Sequence, residues 1–237
     1  MCCLAVKQLF KVILWDLDNT ILDFLLAEKN SLKAAFRELG LGKCTDNMVK
    51  LYSSINVKHW EMLERGEIKK KDVYRLRFQE FLNEIGKDAN PSELNELYER
   101  GICDTVEFID DSFKILSFLK GKYKQYCVTN GRKDVQKDRL KISKLDTVFD
   151  GVFISDVIGY EKPNKGFFDY VLKHIIPCKK DEILIIGDSL TSDMRGGNNA
   201  GIKCCWFNPN GKEKPCDLII DYEIKELSEI RDILENE

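Results

Sequence analysis

The sequence predicts an α/β protein with a doubly wound parallel sheet and an all-helical insertion after the first strand. Short apolar runs typical of buried parallel strands alternate with helical segments at the start and over the second half of the chain. Residues 24–105 carry helical periodicity and contain no convincing strand. Polar residues follow several predicted strands at their carboxyl ends. Open α/β sheets bind ligands at the edge that these ends form.

Composition sets the broad class. The chain has 237 residues, of which 43% are hydrophobic and 32% charged, and this predicts a globular protein with one large core and room for a smaller one. The net charge of -3 provides no basic field, so we expect no nucleic acid polymer as a partner.

The cysteines and the apolar runs bear on location. The nine cysteines include no Cys-x-x-Cys pair, and several lie in apolar runs, which indicates reduced thiols in a reducing compartment. We see no secretory signal and no apolar run of about 18 residues. We therefore expect a cytoplasmic protein with no membrane association and no obligate protein partner.

The first strand ends in two carboxylates and a hydroxyl. Residues 12–15 are apolar, and Asp16, Asp18 and Thr20 follow. In an extended chain, side chains two residues apart project to the same side, so Asp16 and Asp18 are expected to face one crevice. Two such carboxylates remain ionised together only beside a cation or with a shared proton, and Mg2+ suits carboxylate oxygens. An Asp/Asn-rich turn is the alternative interpretation.

Four successive helices are predicted between the first and second strands. The first three are expected to end at Gly40, near Gly66 and at Gly86, and the fourth to begin with Asn90 as its N-cap and Pro91 at its first position. They predict a helical domain over residues 23–108. Residues 1–22 and 109–237 then form the α/β domain, with a last edge strand predicted at 218–220.

Three later strands also lead into polar groups. Thr129 and Asn130 follow one strand, Lys162 lies before a proline, and Asp188 ends a buried strand five residues before Asp193. A hydroxyl, an amide and a lysine are suited to an anion, whereas aspartates are suited to a metal ion. A plain turn or a helix N-cap explains each stretch taken alone.

In order and character these residues resemble the four motifs of the haloacid dehalogenase superfamily of phosphohydrolases. Residues 16–20 match the first motif, 129–130 the second, 162–163 the third and 187–193 the fourth, so the resemblance covers essentially the whole chain. Asn19 stands where glycine is commonest in that superfamily.

The resemblance implies a Mg2+-dependent phosphomonoester hydrolase that acts through an aspartyl-phosphate. It makes Asp16 the nucleophile and Asp18 the general acid and base. The remaining implied roles are metal binding by the Asp16 carboxylate, the Asp18 backbone carbonyl and Asp188, phosphate binding by Thr129, Asn130 and Lys162, and support by Thr20 and Asp193.

The helical insertion is similar to the caps of pyrimidine 5′-nucleotidases in this superfamily, which implies a nucleoside monophosphate as the small-molecule phosphate ester. Phe24 or Trp60 would stack on the base, and Asn56 or Arg77 would hydrogen-bond to its edge. The alternative is that Trp60 and Phe78 pack the interior of the cap.

Three other functions remain open at this point. A sugar-phosphate phosphatase or phosphomutase would share the phosphate site and differ only in the cap. A phospho-accepting signalling receiver also combines aspartates, a threonine and a lysine, although its acceptor belongs on a later strand. A non-catalytic binding scaffold with the same fold is the third.

Overall fold

The structure is a computed structural model that describes residues 9–235, and these residues divide into two compact units. One unit contains the described residues up to Leu22, Phe108–Gln136 and the residues from Leu140 onward. The other contains Asp23–Glu107 and Lys137–Arg139. We retain residues 23–108 as the proposed extent of the helical domain.

A parallel sheet of six strands forms the centre of the first unit. Its strands are β1 (Val12–Trp15), β2 (Lys124–Thr129), β3 (Gly151–Ile154), β4 (Ile183–Gly187), β5 (Lys203–Phe207) and β6 (Tyr222–Ile224), in the spatial order β3-β2-β1-β4-β5-β6. Trp15 at the end of β1 lies opposite Cys127 of β2 and Ile186 of β4. The chain builds the sheet outward in both directions from β1, which confirms the predicted doubly wound fold.

The helical unit contains the four predicted helices. They are α1 (Phe24–Glu38), α2 (Asp46–Glu64), α3 (Lys70–Glu84) and α4 (Pro91–Ile102). The side chain of Asn90 accepts a hydrogen bond from the Ser92 N–H, as expected of the N-cap of α4. Gly40 and Gly86 follow α1 and α3 with φ of 63° and 61°, a left-handed conformation that ends a helix without a Cβ clash.

The described residues that follow the helical unit in the chain form six further helices: α5 (Ser112–Leu119), α6 (Lys133–Ile142), α7 (Ser155–Ile158), α8 (Lys165–His174), α9 (Arg195–Ala200) and α10 (Ile230–Glu235). One turn of π-helix, Leu190–Met194, leads into α9. The side chains of α8 pack with those of β1 and β4 in one buried cluster, and β1 and β4 are buried along their whole length. Helices on both faces of a parallel sheet explain these uninterrupted apolar strands.

The edge strand predicted at residues 218–220 is wrong, since the last strand of the sheet is Tyr222–Ile224. The amide side chain of Asn198 explains the difference. Its Oδ1 accepts from the Ile219 N–H at 2.8 Å, and its Nδ2 donates to the Ile219 carbonyl at 2.8 Å. The backbone of Ile219 therefore bonds to a side chain and not to a neighbouring strand.

Within residues 9–235, none of the helices is both long enough and apolar enough to cross a lipid bilayer.

Candidate active site

Asp16 directly follows the central strand β1. Its N–H donates to the Ile186 carbonyl at 2.9 Å, so pairing with β4 carries the backbone to the start of the turn. Asp16 is only 7% exposed. Asn19 in the same turn has φ of 58°, a left-handed conformation that asparagine tolerates better than most residues, and this accounts for its presence at a position where glycine is common.

Lys162 connects two of the predicted aspartates. Its Nζ donates to Asp16 Oδ1 at 2.6 Å, to Asp193 Oδ1 at 2.6 Å and to the Val128 carbonyl at 2.9 Å. Lys162 is 1% exposed and Asp193 is fully buried. An ammonium group has three donors, and these three acceptors match them.

Thr20 lies between the carboxylates of Asp16 and Asp188. Its Oγ1 accepts from the Asp188 N–H at 3.1 Å and lies 3.3 Å from Asp16 Oδ2 and 3.4 Å from Asp188 Oδ1. Its single hydrogen is therefore donated to one carboxylate or the other. The hydroxyl connects the turn after β1 to the end of β4.

Asp193 lies close to Asp188 because it packs against the backbone of Gly187, the last residue of β4. A Cβ at Gly187 would lie 2.2 Å from Asp193 Oδ2, so only glycine fits without movement. Asp193 Oδ2 also accepts from the Ser189 N–H at 3.2 Å, and Trp206 Nε1 donates to the Asp188 carbonyl at 3.0 Å. The loop that carries both aspartates is thus held by β5 and by its own backbone.

The Asn130 side chain is hydrogen-bonded to the backbone of Lys162. Asn130 Nδ2 donates to the Lys162 carbonyl at 2.9 Å, and the Lys162 N–H donates to Asn130 Oδ1 at 2.8 Å. The Lys162–Pro163 peptide is cis. This pair of hydrogen bonds between the two segments positions the lysine. The sequence alone did not predict this role for Asn130.

Gln136 of α6 was missed in the sequence. Its Nε2 donates to Asp18 Oδ2 at 2.7 Å and to Thr129 Oγ1 at 2.8 Å, and the residue is 1% exposed. No sequence signal distinguishes it, because α6 is rich in polar residues and Gln136 matches no motif.

Burial and mutual repulsion control the protonation of the aspartates. Burial raises the pKa of Asp16 well above its ordinary value, and Asp193 raises it further, against the opposing effect of Lys162. Burial and Asp193 raise the pKa of Asp188 to about 7, while Lys162 and Lys212 oppose the rise. Burial by itself would lower the pKa of Lys162, but Asp16 and Asp193 outweigh it and raise that pKa.

The acidic cluster fits a magnesium ion. Asp16, Asp188 and Asp193 each have a carboxylate oxygen within 4.8 Å of the others. Three carboxylates beside the ammonium of Lys162 leave an excess of negative charge, which a divalent cation would balance. Carboxylate oxygens are also the ligands that Mg2+ prefers.

Two predicted specificity residues, Asn56 and Arg77, lie inside the helical unit. Arg77 is 1% exposed, and it donates to Asn56 Oδ1 at 2.8 Å, Asn95 Oδ1 at 2.8 Å and Glu99 Oε1 at 2.5 Å. Asn56 Nδ2 donates to Glu28 Oε2 at 2.8 Å. Their polar groups thus bond to side chains of the same unit, and we do not retain them as base-reading residues.

The two predicted stacking residues are partly exposed. The guanidinium carbon of Arg139 lies 5.8 Å from the ring centre of Phe24. The rings of Trp60 and Tyr74 meet edge to face with their centres 6.3 Å apart, and Lys70 Nζ lies 6.0 Å from the centre of the Trp60 ring. Phe78, by contrast, is fully buried, which bears out packing for that residue.

The fold and the site together define an α/β protein with an acidic centre suited to a cation. The centre lies at the switch point of a doubly wound sheet, where β2 lies on one side of β1 and β4 on the other. The family model of haloacid dehalogenase-like hydrolases matches residues 13–207. The chain belongs to this family, which confirms the resemblance drawn from the four motifs.

Known relatives cover nearly the whole chain. The HAD-hydrolase YfnB of Bacillus subtilis is 36% identical over 225 residues, 95% of each chain. A crystal structure of YfnB bound to magnesium matches with a TM-score of 0.90 over 95% of this chain and 98% of that one. PynA of Streptococcus pneumoniae, a pyrimidine 5′-nucleotidase, is 32% identical over 227 residues, 95% of each chain. A glyceraldehyde 3-phosphate phosphatase of Pyrococcus furiosus is 28% identical over 238 residues, covering 96% of this chain and 94% of that one.

Proposed function

We propose that the protein is a Mg2+-dependent phosphomonoester hydrolase with Asp16 as its nucleophile. One observation carries the proposal: the Asp16 carboxylate ends the central strand, bonds to a buried lysine at 2.6 Å and has two further aspartates within 4.8 Å. This arrangement offers a nucleophilic oxygen beside positive charge suited to a phosphoryl group.

The reaction divides into two displacements at phosphorus. A carboxylate oxygen of Asp16 forms a bond to phosphorus while the bond to the ester oxygen breaks, and its electron pair leaves with that oxygen. Asp18 gives its proton to the leaving oxygen, so the alcohol departs neutral. Asp18 then takes a proton from a water molecule that attacks phosphorus, and the electron pair of the acyl-phosphate bond returns to Asp16.

Lys162, Thr129 and the backbone of Asn130 would bind the phosphoryl oxygens. Because Thr129 Oγ1 accepts from the Gln136 amide at 2.8 Å and from the Gly131 N–H at 3.3 Å, its own hydrogen is directed to an acceptor such as a phosphoryl oxygen. Charge stabilisation by such donors is the largest contribution expected in phosphoryl transfer.

The Asp16 carboxylate, the Asp18 backbone carbonyl and Asp188 would hold Mg2+, with Asp193 holding Lys162 and the Ser189 backbone in place. Bound there, the ion would neutralise charge on the phosphoryl group. The magnesium-bound state of YfnB supports magnesium as the ion.

We propose a pyrimidine nucleoside 5′-monophosphate as the substrate, supported by the likeness to PynA over 95% of both chains. Phe24 and Trp60, which are partly exposed, stay the candidates for stacking on a base. A sugar phosphate is the second candidate, supported by the likeness to the glyceraldehyde 3-phosphate phosphatase. We assign Asn56 and Arg77 to the interior of the helical unit.

A phosphate-release screen tests the proposal. The protein is incubated with Mg2+ and a panel of nucleoside monophosphates and sugar phosphates, beside the variants Asp16→Asn and Asp150→Asn. Asp150 is the matched control, because it also pairs with a lysine, Lys124, at 2.6 Å, but precedes β3 at the opposite edge of the sheet. We expect Asp16→Asn to keep its fold and lose turnover, and Asp150→Asn to keep both. Equal phosphate release by Asp16→Asn and the parent would contradict the nucleophile assignment.

A further inference from the structure

Gln136 is a buried side chain that bonds to two separate parts of the site. It lies on α6, and its amide nitrogen donates at 2.7 Å to Asp18 in the loop after β1 and at 2.8 Å to Thr129 at the end of β2. The residue is 1% exposed, so water competes little for these bonds.

Two hydrogen bonds define the orientation of the amide. The nitrogen of Gln136, and not its oxygen, lies at hydrogen-bond distance from both Asp18 Oδ2 and Thr129 Oγ1. The two hydrogens of this nitrogen match the two acceptors. A bond from the same nitrogen to Thr129 leaves the amide little freedom to rotate.

The backbone around Gln136 is shaped to admit this side chain. A Cβ at Gly131 would lie 2.2 Å from Gln136 Nε2 and 2.5 Å from its Cδ, so the loop after β2 passes directly over the amide. Any residue larger than glycine at position 131 would displace the amide or the loop.

We propose that Gln136 is a positioning residue that orients the acid–base carboxyl of Asp18 and the hydroxyl of Thr129 together. This inference rests on the proposed function and assigns Gln136 a part in it. The amide hydrogen bonded to Oδ2 directs the transferable proton of Asp18 to the other oxygen, Oδ1. The same amide directs the hydrogen of Thr129 away from Gln136.

This role predicts a dependence on the leaving group. A nucleoside or sugar alkoxide needs a proton from Asp18 as it leaves, whereas p-nitrophenolate leaves without one. Loss of the orientation of Asp18 should therefore slow the hydrolysis of an alkyl phosphate more than the hydrolysis of p-nitrophenyl phosphate. Disturbing Thr129 alone should slow both esters alike, since both carry the same phosphoryl group.

The test compares Gln136→Met with the parent by kcat/KM on p-nitrophenyl phosphate and on the nucleotide or sugar phosphate that the parent hydrolyses fastest. Methionine is close in length to glutamine and lacks the N–H donors. Gln125→Met is the matched control, because Gln125 is also fully buried but bonds to Trp15 and the Leu116 carbonyl. We expect the ratio of alkyl to aryl kcat/KM to fall about 10-fold or more in Gln136→Met, a part of the roughly 10²–10⁴ that a general acid contributes, and to stay unchanged in Gln125→Met.

Equal losses on both esters in Gln136→Met would overturn the role in orienting Asp18. If Gln136→Met does not fold, Gly131→Ala provides the second variant, since its Cβ displaces the amide without removing it, and the same fall in the ratio is expected. Failure of the parent itself to release phosphate in an Asp16-dependent manner would overturn the proposed function and this role with it. An active parent with an unchanged ratio in both variants would overturn only the role of Gln136.

Discussion

Replacing Lys162 with methionine removes the single ammonium group that bonds to both Asp16 and Asp193. Both contacts are 2.6 Å long, and the lysine side chain is 1% exposed. The change keeps most of the apolar length of the side chain and deletes only its charge. Two buried carboxylates are then left without their cation.

The expected loss of stability in Lys162→Met follows from the burial of the ion pair. Breaking a buried ion pair by removing one partner costs about 3–5 kcal/mol, because the remaining charge is buried and unpaired. The matched control is Lys165→Met, since Lys165 pairs with Asp169 at the same 2.6 Å but its side chain is 68% exposed. An exposed pair contributes about 0–1 kcal/mol. At about 2–4 °C per kcal/mol for a chain of this size, the melting temperature should fall by about 6–20 °C in Lys162→Met and by at most about 4 °C in the control.

The melting temperature of Lys162→Met relative to the parent should also depend on pH. Removing Lys162 takes away the effect that opposes the raised pKa of Asp16, so this carboxyl binds a proton even more tightly in the folded variant. Because the folded state then holds protons that the unfolded chain releases, the stability of the variant falls as pH rises. Thermal unfolding of the parent and both variants at pH 5 and pH 8 measures this. Equal losses in Lys162→Met and Lys165→Met at pH 8 would refute the reasoning.

Three further results are expected. Because the pKa of Asp188 is raised from 3.8 to about 7, the metal-free protein should lose stability as pH rises from about 4 to about 7. Added Mg2+ should therefore raise the melting temperature more at pH 8 than at pH 5. An equal rise at both pH values would count against Asp188 as a ligand. Arg77→Met should lower the free energy of unfolding, measured in urea, by about 3–5 kcal/mol. Glu99→Gln keeps a hydrogen-bond acceptor and should lower it less. An unchanged free energy of unfolding in Arg77→Met would contradict the interior role of Arg77. Gly187→Ala should lower the melting temperature and phosphate release together, because its Cβ meets Asp193; an unchanged melting temperature would show that the loop moves freely.

Much of the site could be predicted because its residues stand next to strong local signals. Asp16 follows an apolar strand, and Asp188 follows another, so parallel packing alone brings them to one edge. Arg77 could not be predicted in the same way. Its charge suggested a residue facing a ligand, and only the packing of α2, α3 and α4 shows that Asn56, Asn95 and Glu99 surround it.

The sequence by itself determined the fold class, the four helices after β1 and the four motifs, because periodicity, caps and turns depend on neighbours in the chain. Only the tertiary structure decided that Gln136 meets Asp18, a residue 118 positions away, and that Asn198 and not a neighbouring strand bonds to Ile219. Such contacts depend on how helices pack against a completed sheet, and a polar side chain carries no mark in the sequence of the distant partner it will meet.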